Sequence, residues 1–296
     1  AFFIILFTRF TFKNTTERLE HHEEAPSLKE CLHLLATNRP LLMLFLGNIF
    51  FVIIKVSEQA SFYFAYDALF NAKYNGFLDI AKAPGSFLAG IFVPIIIERL
   101  GRKADSKKFY QACCVMGIVL NGLFALCTYN GIMNKGAGQS VSLLTGLMVI
   151  VFSAVVTFPL EFKNLMQKEM EAETVDYVEW KTGKRVEGTM LSIMSFTGKL
   201  EGTLSSFICL QVLARTGYVE HTTDVSTLQN HSTLLGLFLM TTVFPMVGYA
   251  LMLIPMHFYN ITGDSHRRMI KDIMARRAQA GEAAAQEAVA AEAKEG

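Results

Sequence analysis

Residues 225–263 read VSTLQNHSTLLGLFLMTTVFPMVGYALMLIPMHFYNITG and contain no Asp, Glu, Lys or Arg. A helix that crosses a bilayer needs about 20 predominantly apolar residues, because its backbone polar groups must satisfy one another where water is absent. This stretch is long enough to supply one. Residues 109–134 and 136–160 lack the same four residue types, and the three together indicate an all-α membrane protein. Composition agrees: 52% of residues are hydrophobic and 18% charged, with a mean hydropathy of +0.34. That is too apolar and too poor in charge for an ordinary soluble domain.

Working outward from these spans, three more emerge. Pro40 to Ile54 is uncharged but short; it continues as helix to about residue 69 if Lys55 and Glu58, three apart, neutralise each other on one face. Asp79 and Lys82 repeat that spacing at the start of a segment that runs to about Ile97. The sixth span covers about Val186 to Leu213 and is interrupted by Lys199 and Glu201. The expected architecture is a six-helix transmembrane bundle over residues 40–258.

Basic residues alternate along the chain. The entry segment to Arg39, the 98–108 connection, the 161–187 segment and the tail from Arg267 to Arg277 are each rich in Lys and Arg. The connections between them offer only Lys73, Lys135 and Arg215. Under the positive-inside rule the rich segments are cytoplasmic, so both ends of the bundle lie inside a cell membrane. Residues 259–296 are then a cytoplasmic tail, and its Ala- and Glu-rich part from about Gln279 reads as a frayed helix or a disordered end. At the other terminus AFFIILF, within residues 1–10, is too short to span and reads as the end of a preceding helix.

A net charge of +1 gives no basis for a nucleic-acid partner. The five cysteines and seven histidines form no metal-ligand or catalytic spacing, and no Gly-rich phosphate loop is present, so no enzyme and no cofactor is expected.

Lys199 carries the functional reading. It lies about 18 Å along a helix from Glu187, near the middle of a hydrocarbon core roughly 30 Å thick. An ionised lysine there costs roughly 2.5 to 3.5 kcal/mol on insertion scales, so it lines a cavity or meets an anion. Ser192, Ser195, Lys199, Thr203 and Ser206 follow at steps of three and four and form one polar stripe on an apolar cylinder. This is the expected substrate and cation-coupling face. Glu201 points elsewhere, so a counter-charge for Lys199 must come from another helix. The alternative is a structural ion pair, or a helix seated less deeply.

Two other groups are candidates. Glu161, Lys163 and Asn164 follow Pro159, where they either line a pathway vestibule or mark the membrane interface. Asp176, Tyr177, Glu179, Lys181, Lys184 and Arg185 mix both signs densely, as in a cytoplasmic gate whose ion pairs form and break, or in a solvated turn.

The run MEAETVDYVEWKTGKRVEG at Met170 to Gly188, followed by SFTGK at Ser195 to Lys199, closely resembles the glycoside-pentoside-hexuronide:cation symporters, the melibiose permease-like branch of the major facilitator superfamily. NRPLL at Asn38, ERLGRKADSKK at Glu98 and GDSHRRMIKDI at Gly263 extend the resemblance over most of the chain. It implies the carboxy-terminal half of a twelve-helix major facilitator fold, with residues 1–10 ending helix six, 11–39 forming the central cytoplasmic loop, and the six spans being helices seven to twelve. The family's position matching Lys199 lies near the cation and sugar sites, and that of Ser195 contributes to sugar recognition. Its cation-binding carboxylates lie in the amino-terminal half, so no metal ligand is expected in this one. Asn164 stands where galactoside carriers have a sugar-stacking tryptophan, and Met194 replaces a polar residue, which weighs against a galactoside while keeping carbohydrates open.

The implied activity is symport of a small-molecule sugar or glycoside, coupled to Na⁺ or H⁺, by alternating access against a partner six-helix half in membrane lipid. An amphiphile or lysolipid carrier of the same fold, and a non-transporting membrane scaffold or sensor, are the alternatives.

Overall fold

The computed structural model describes residues 27–100, 105–135, 138–183, 186–220 and 228–295. All regular structure among them is helical: α1 (Leu28–Thr37), α2 (Arg39–Tyr63) continuing as a π turn over Phe64–Ala68, α3 (Lys73–Leu100), α4 (Ser106–Met133), α5 (Leu143–Thr182), α6 (Glu187–Thr216), α7 (His231–Phe258) and α8 (Gly263–Glu295). The six expected spans are α2 to α7. By length and composition, Arg39–Ala68, Ser106–Met133, Leu143–Thr182 and His231–Phe258 are apolar enough to cross a membrane. The other two, α3 and α6, are as long but carry Asp79 and Lys82, or Lys199 and Glu201, within the helix. The 3.4 Å Lys82–Asp79 ion pair in α3 is the one its spacing predicts.

Caps place the helix ends. Asn38 accepts from the Leu41 amide with Pro40 in the first turn of α2, Ser142 accepts from Thr145 and Asn230 from Thr233, each satisfying a backbone donor that the first turn leaves open. Gly183 and Gly217 close α5 and α6 at φ of 73° and 75°, a left-handed conformation in which glycine has no steric penalty.

Packing runs α6, α2, α7, α4, α5, α3, each helix against the next. The approach is close where side chains are small: a Cβ on Gly117 of α4 would sit 2.5 Å from the ring of Tyr249 on α7. Large apolar side chains point outward, among them Ile80, Phe87, Leu126 and Leu143, all at least 70% exposed, as lipid requires. The basic-rich segments meet at one end of the bundle. There Lys107 donates to the carbonyls of His257 and Tyr259 and Trp180 donates to Asp272. The basic-poor connections meet at the other, where the Val141 amide donates to the Leu69 carbonyl and Tyr63 packs on Tyr218.

Two expectations change and one choice between alternatives is decided. Part of the segment read as a cytoplasmic loop is α1, started by a capping box between Ser27 and Glu30. The charged stretch after residue 160 stays helical to Thr182, since Glu, Lys, Gln and Met are good helix formers. Of the two readings of the tail, a frayed helix or a disordered end, the second is set aside, because the tail is helical to Glu295, as its Ala and Glu content favours. The expected end of helix six, residues 1–10, lies outside the described residues.

Candidate functional site

On α6 one stripe is buried, consisting of Met190, Ile193, Thr197, Glu201, Ser205, Cys209 and Leu213. It faces α2 and, less extensively, α7. Ser192, Ser195, Lys199 and Thr203 are all exposed, with Ser206 half-buried, so the stripe drawn from spacing is one open face of the helix. Its hydroxyls settle their hydrogens on the preceding turn: Ser192 donates to the Gly188 carbonyl at 2.9 Å, Thr203 to Lys199 at 3.1 Å and Ser206 to Gly202 at 2.9 Å. Their lone pairs stay available to a ligand's hydroxyls. Among the described residues the Lys199 ammonium meets no carboxylate.

Glu201 projects the other way, into the bundle, where Lys55 of α2 meets it at 3.1 Å. This replaces the expected Lys55–Glu58 pair. The Glu201 side chain is only 8% exposed and needs a cation beside it, whereas Glu58 is exposed and solvated.

Glu58 instead borders a cleft of about 510 Å³ between α2, α3 and α5. Its walls carry hydroxyls from Ser57, Ser61, Ser153 and Thr157, and aromatic surface from Phe62 and Phe124. Glu161 is in it, accepting from Ser86 at 3.4 Å and from Asn164 at 3.4 Å, so two of the three pathway candidates sit at or beside this cavity. Lys163 does not. Two residues beyond Glu161 on a helix, it turns to the opposite side, fully buried, with its nitrogen 3.6 Å from the centre of the Phe51 ring. A desolvated cation over a ring gains about 2 kcal/mol, which helps to hold it there. The cleft was missed in the sequence, although Ser57/Ser61 and Ser153/Thr157 are i,i+4 pairs in otherwise apolar helices.

At the basic-rich end, exposed apolar residues on α5 stop at Leu165 and give way to exposed Lys168 and Glu169, which sets the membrane boundary. Beyond it, Asp176 pairs with His266 at 3.0 Å and Glu179 with Arg277, both on α8. These two gate candidates thus join α5 to α8. Tyr177 lines a second cavity beside Trp180, and Lys181 lies exposed, 6.0 Å from the Tyr177 ring centre. Lys184 and Arg185 lie outside the described residues. Glu173 accepts from Ser106 at 2.8 Å and Tyr259 at 3.2 Å.

Burial pushes the Glu173 carboxyl above the usual carboxylate range, and the Asp176 hydrogen bond raises the His266 imidazole. Both groups therefore bind protons more tightly folded than unfolded. Their stabilisation is full below the unfolded values, about 4.3 and 6.5, and fades as pH rises through the raised folded ones. Protection factors of the amides in the first turns of α8, taken relative to the intrinsic exchange rate at each pH, are expected to fall from neutral to alkaline pH, and His266→Ala to remove most of that fall.

Among the described residues no group of three His, Cys, Asp or Glu could hold a metal ion. A family model described as MFS/sugar transport protein matches residues 1–263. The chain belongs to this family. Curated MFS/sugar transport relatives include an uncharacterized symporter, YjmB, of Bacillus subtilis, 25% identical over 88% of this chain and 53% of its own length. A putative 2,3-dihydroxypropane-1-sulfonate exporter of Escherichia coli is 26% identical over 94% of this chain and 56% of its own. A glucuronide carrier protein homolog of the same species is 24% identical over 88% and 53%. The chain spans about half the length of these relatives. It is thus a multi-pass membrane protein of a transporter family, and the resemblance seen in its motifs to sugar:cation symporters holds.

Proposed function

We propose that this chain is the carboxy-terminal half of a secondary active transporter that couples entry of a sugar or glycoside to Na⁺ or H⁺ in the cell membrane, with both ends of this segment cytoplasmic. The observation that carries the reading is the open face of α6, where Lys199 stands between Ser195 and Thr203 without a carboxylate partner among the described residues. An unpaired cation at mid-membrane depth needs an anion from the partner half or from the ligand. The hydroxyl-lined cleft between α2, α3 and α5 offers the acceptors, donors and aromatic faces that a polyol uses. Rocking of one six-helix half against the other would expose this face to each side in turn. Coupling follows if cation and sugar both favour the closed arrangement, since linkage is reciprocal.

The test is uptake by vesicles carrying the full-length protein, with Na⁺ and H⁺ gradients imposed separately across a panel of sugars and a lysolipid. Gradient-driven accumulation of a sugar is the expected result. Movement of the lysolipid alone would make the protein an amphiphile carrier, and no movement of anything would make it a scaffold or sensor.

A further inference from the structure

Lys163 is the buried cation that the transport reading leaves without a part. Its ammonium is enclosed by Phe51 of α2 and Tyr110 of α4, 3.6 and 5.9 Å from the ring centres. The ionisable groups around it are Lys55 on α2, Tyr110, Cys113 and Cys114 on α4, Glu171 on its own helix and Glu201 on α6, with Tyr249 of α7 beside Cys114. Glu201 is already engaged by Lys55 at 3.1 Å. Two lysines therefore share one buried carboxylate, and the region is charge-balanced only when one of them is neutral.

One hydrogen-bond chain leads out of it. Lys163 donates to Gln167 Oε1 at 3.2 Å, and Gln167 Nε2 donates to Glu171 Oε1 at 3.0 Å. The other Glu171 oxygen accepts from Lys168 at 2.8 Å, whose side chain is 71% exposed. Residues 163, 167 and 171 repeat at four and line one face of α5 for about 12 Å. The Gln167 amide is aligned by both neighbours, oxygen toward the amine and nitrogen toward the carboxylate, so the charge of Glu171 is felt at Lys163.

We propose that Lys163 is a proton-binding site of this half, loaded and emptied from the basic-rich end of the bundle past Gln167 and Glu171, and that Glu201 on α6 reads its charge. The step transfers one proton from a hydronium ion at the level of Glu171 to the free amine of Lys163, giving the ammonium and leaving water; one O–H bond breaks and one N–H bond forms. Protonated, Lys163 draws Glu201 toward α5 in competition with Lys55. Neutral, it leaves Glu201 to α2 alone. Because Lys199 is two residues from Glu201, the placement of the polar stripe depends on this proton. That consequence rests on the transport reading; the proton site itself does not.

Two readouts separate the two ideas. Thermal unfolding of the purified full-length protein is followed from roughly pH 5.5 to 9.5 for wild type, Lys163→Met and Glu171→Gln. The difference in Tm between wild type and Lys163→Met should change with pH. Glu171→Gln should move the midpoint of that change to lower pH by about half a unit, less than the shift from a direct ion pair. Sugar uptake at varied cytoplasmic pH should lose its pH dependence in Lys163→Met. Parallel Tm curves for wild type and Lys163→Met overturn the site; should Lys163→Met not fold, a Glu171→Gln profile superimposed on wild type does so. A proton-linked Tm without any sugar uptake would uphold the site and overturn the transport reading.

Discussion

Lys199→Ala in the full-length protein is expected to abolish gradient-driven accumulation, bringing the internal-to-external sugar ratio down to about 1 while exchange of sugar across the membrane continues. The reason lies in what the residue can do where it stands. It is exposed on α6 between Ser195 and Thr203, and among the described residues it meets no carboxylate, so its charge is free to respond to whatever anion or cation arrives opposite. Coupling free energies of this kind correspond to about 5- to 150-fold changes in affinity, and their loss uncouples the two ligands without closing the path. Lys199→Arg should keep part of the coupling, because the charge remains but the compact ammonium does not. Concentrative uptake unchanged by Lys199→Ala would remove the residue from the coupling machinery.

The spans were legible because a run of more than about 20 residues without charge has few other structural uses, and α2, α4, α5 and α7 follow that signal. The α6 stripe was legible for a different reason: helical periodicity alone puts Ser192, Ser195, Lys199 and Thr203 on one face, and all four are exposed there. Two residue pairs escaped. Lys55 and Glu58 are near in sequence, but the partner of Lys55 is Glu201 on another helix, a contact set by how α2 and α6 pack and not by spacing along either one. Glu161 and Lys163 were grouped as neighbours although two residues on a helix separate them by about 200°, enough to place one at the cleft and the other under Phe51. Charge density misled as well, since the mixed-charge run from Asp176 reads as a gate or a solvated turn and, as far as Thr182, is the continuation of α5.

Replacing Glu201 with methionine should have the largest effect on stability of any substitution in the bundle, and it should exceed that of Lys55→Met. Glu201 is 8% exposed and Lys55 26%, so the pair is mostly out of water. Removing one partner of a buried pair costs about 3–5 kcal/mol, chiefly because the other charge is left uncompensated. Without Glu201, two cations are stranded together, Lys55 and the fully buried Lys163. Without Lys55, Glu201 still has Lys163 among the charges that act on it, and the loss is smaller. The double substitution Lys55→Met with Glu201→Met removes both charges of the pair and should recover most of the stability. The recovery stays incomplete because Lys163 keeps no anion nearer than Glu171, one amide away through Gln167. A double-mutant cycle on the Tm of the purified full-length protein measures the interaction directly. Equal losses for the two single variants would mean that Glu201 serves Lys55 alone, and a double variant no more stable than Glu201→Met would mean that the pair is not what holds α6 to α2.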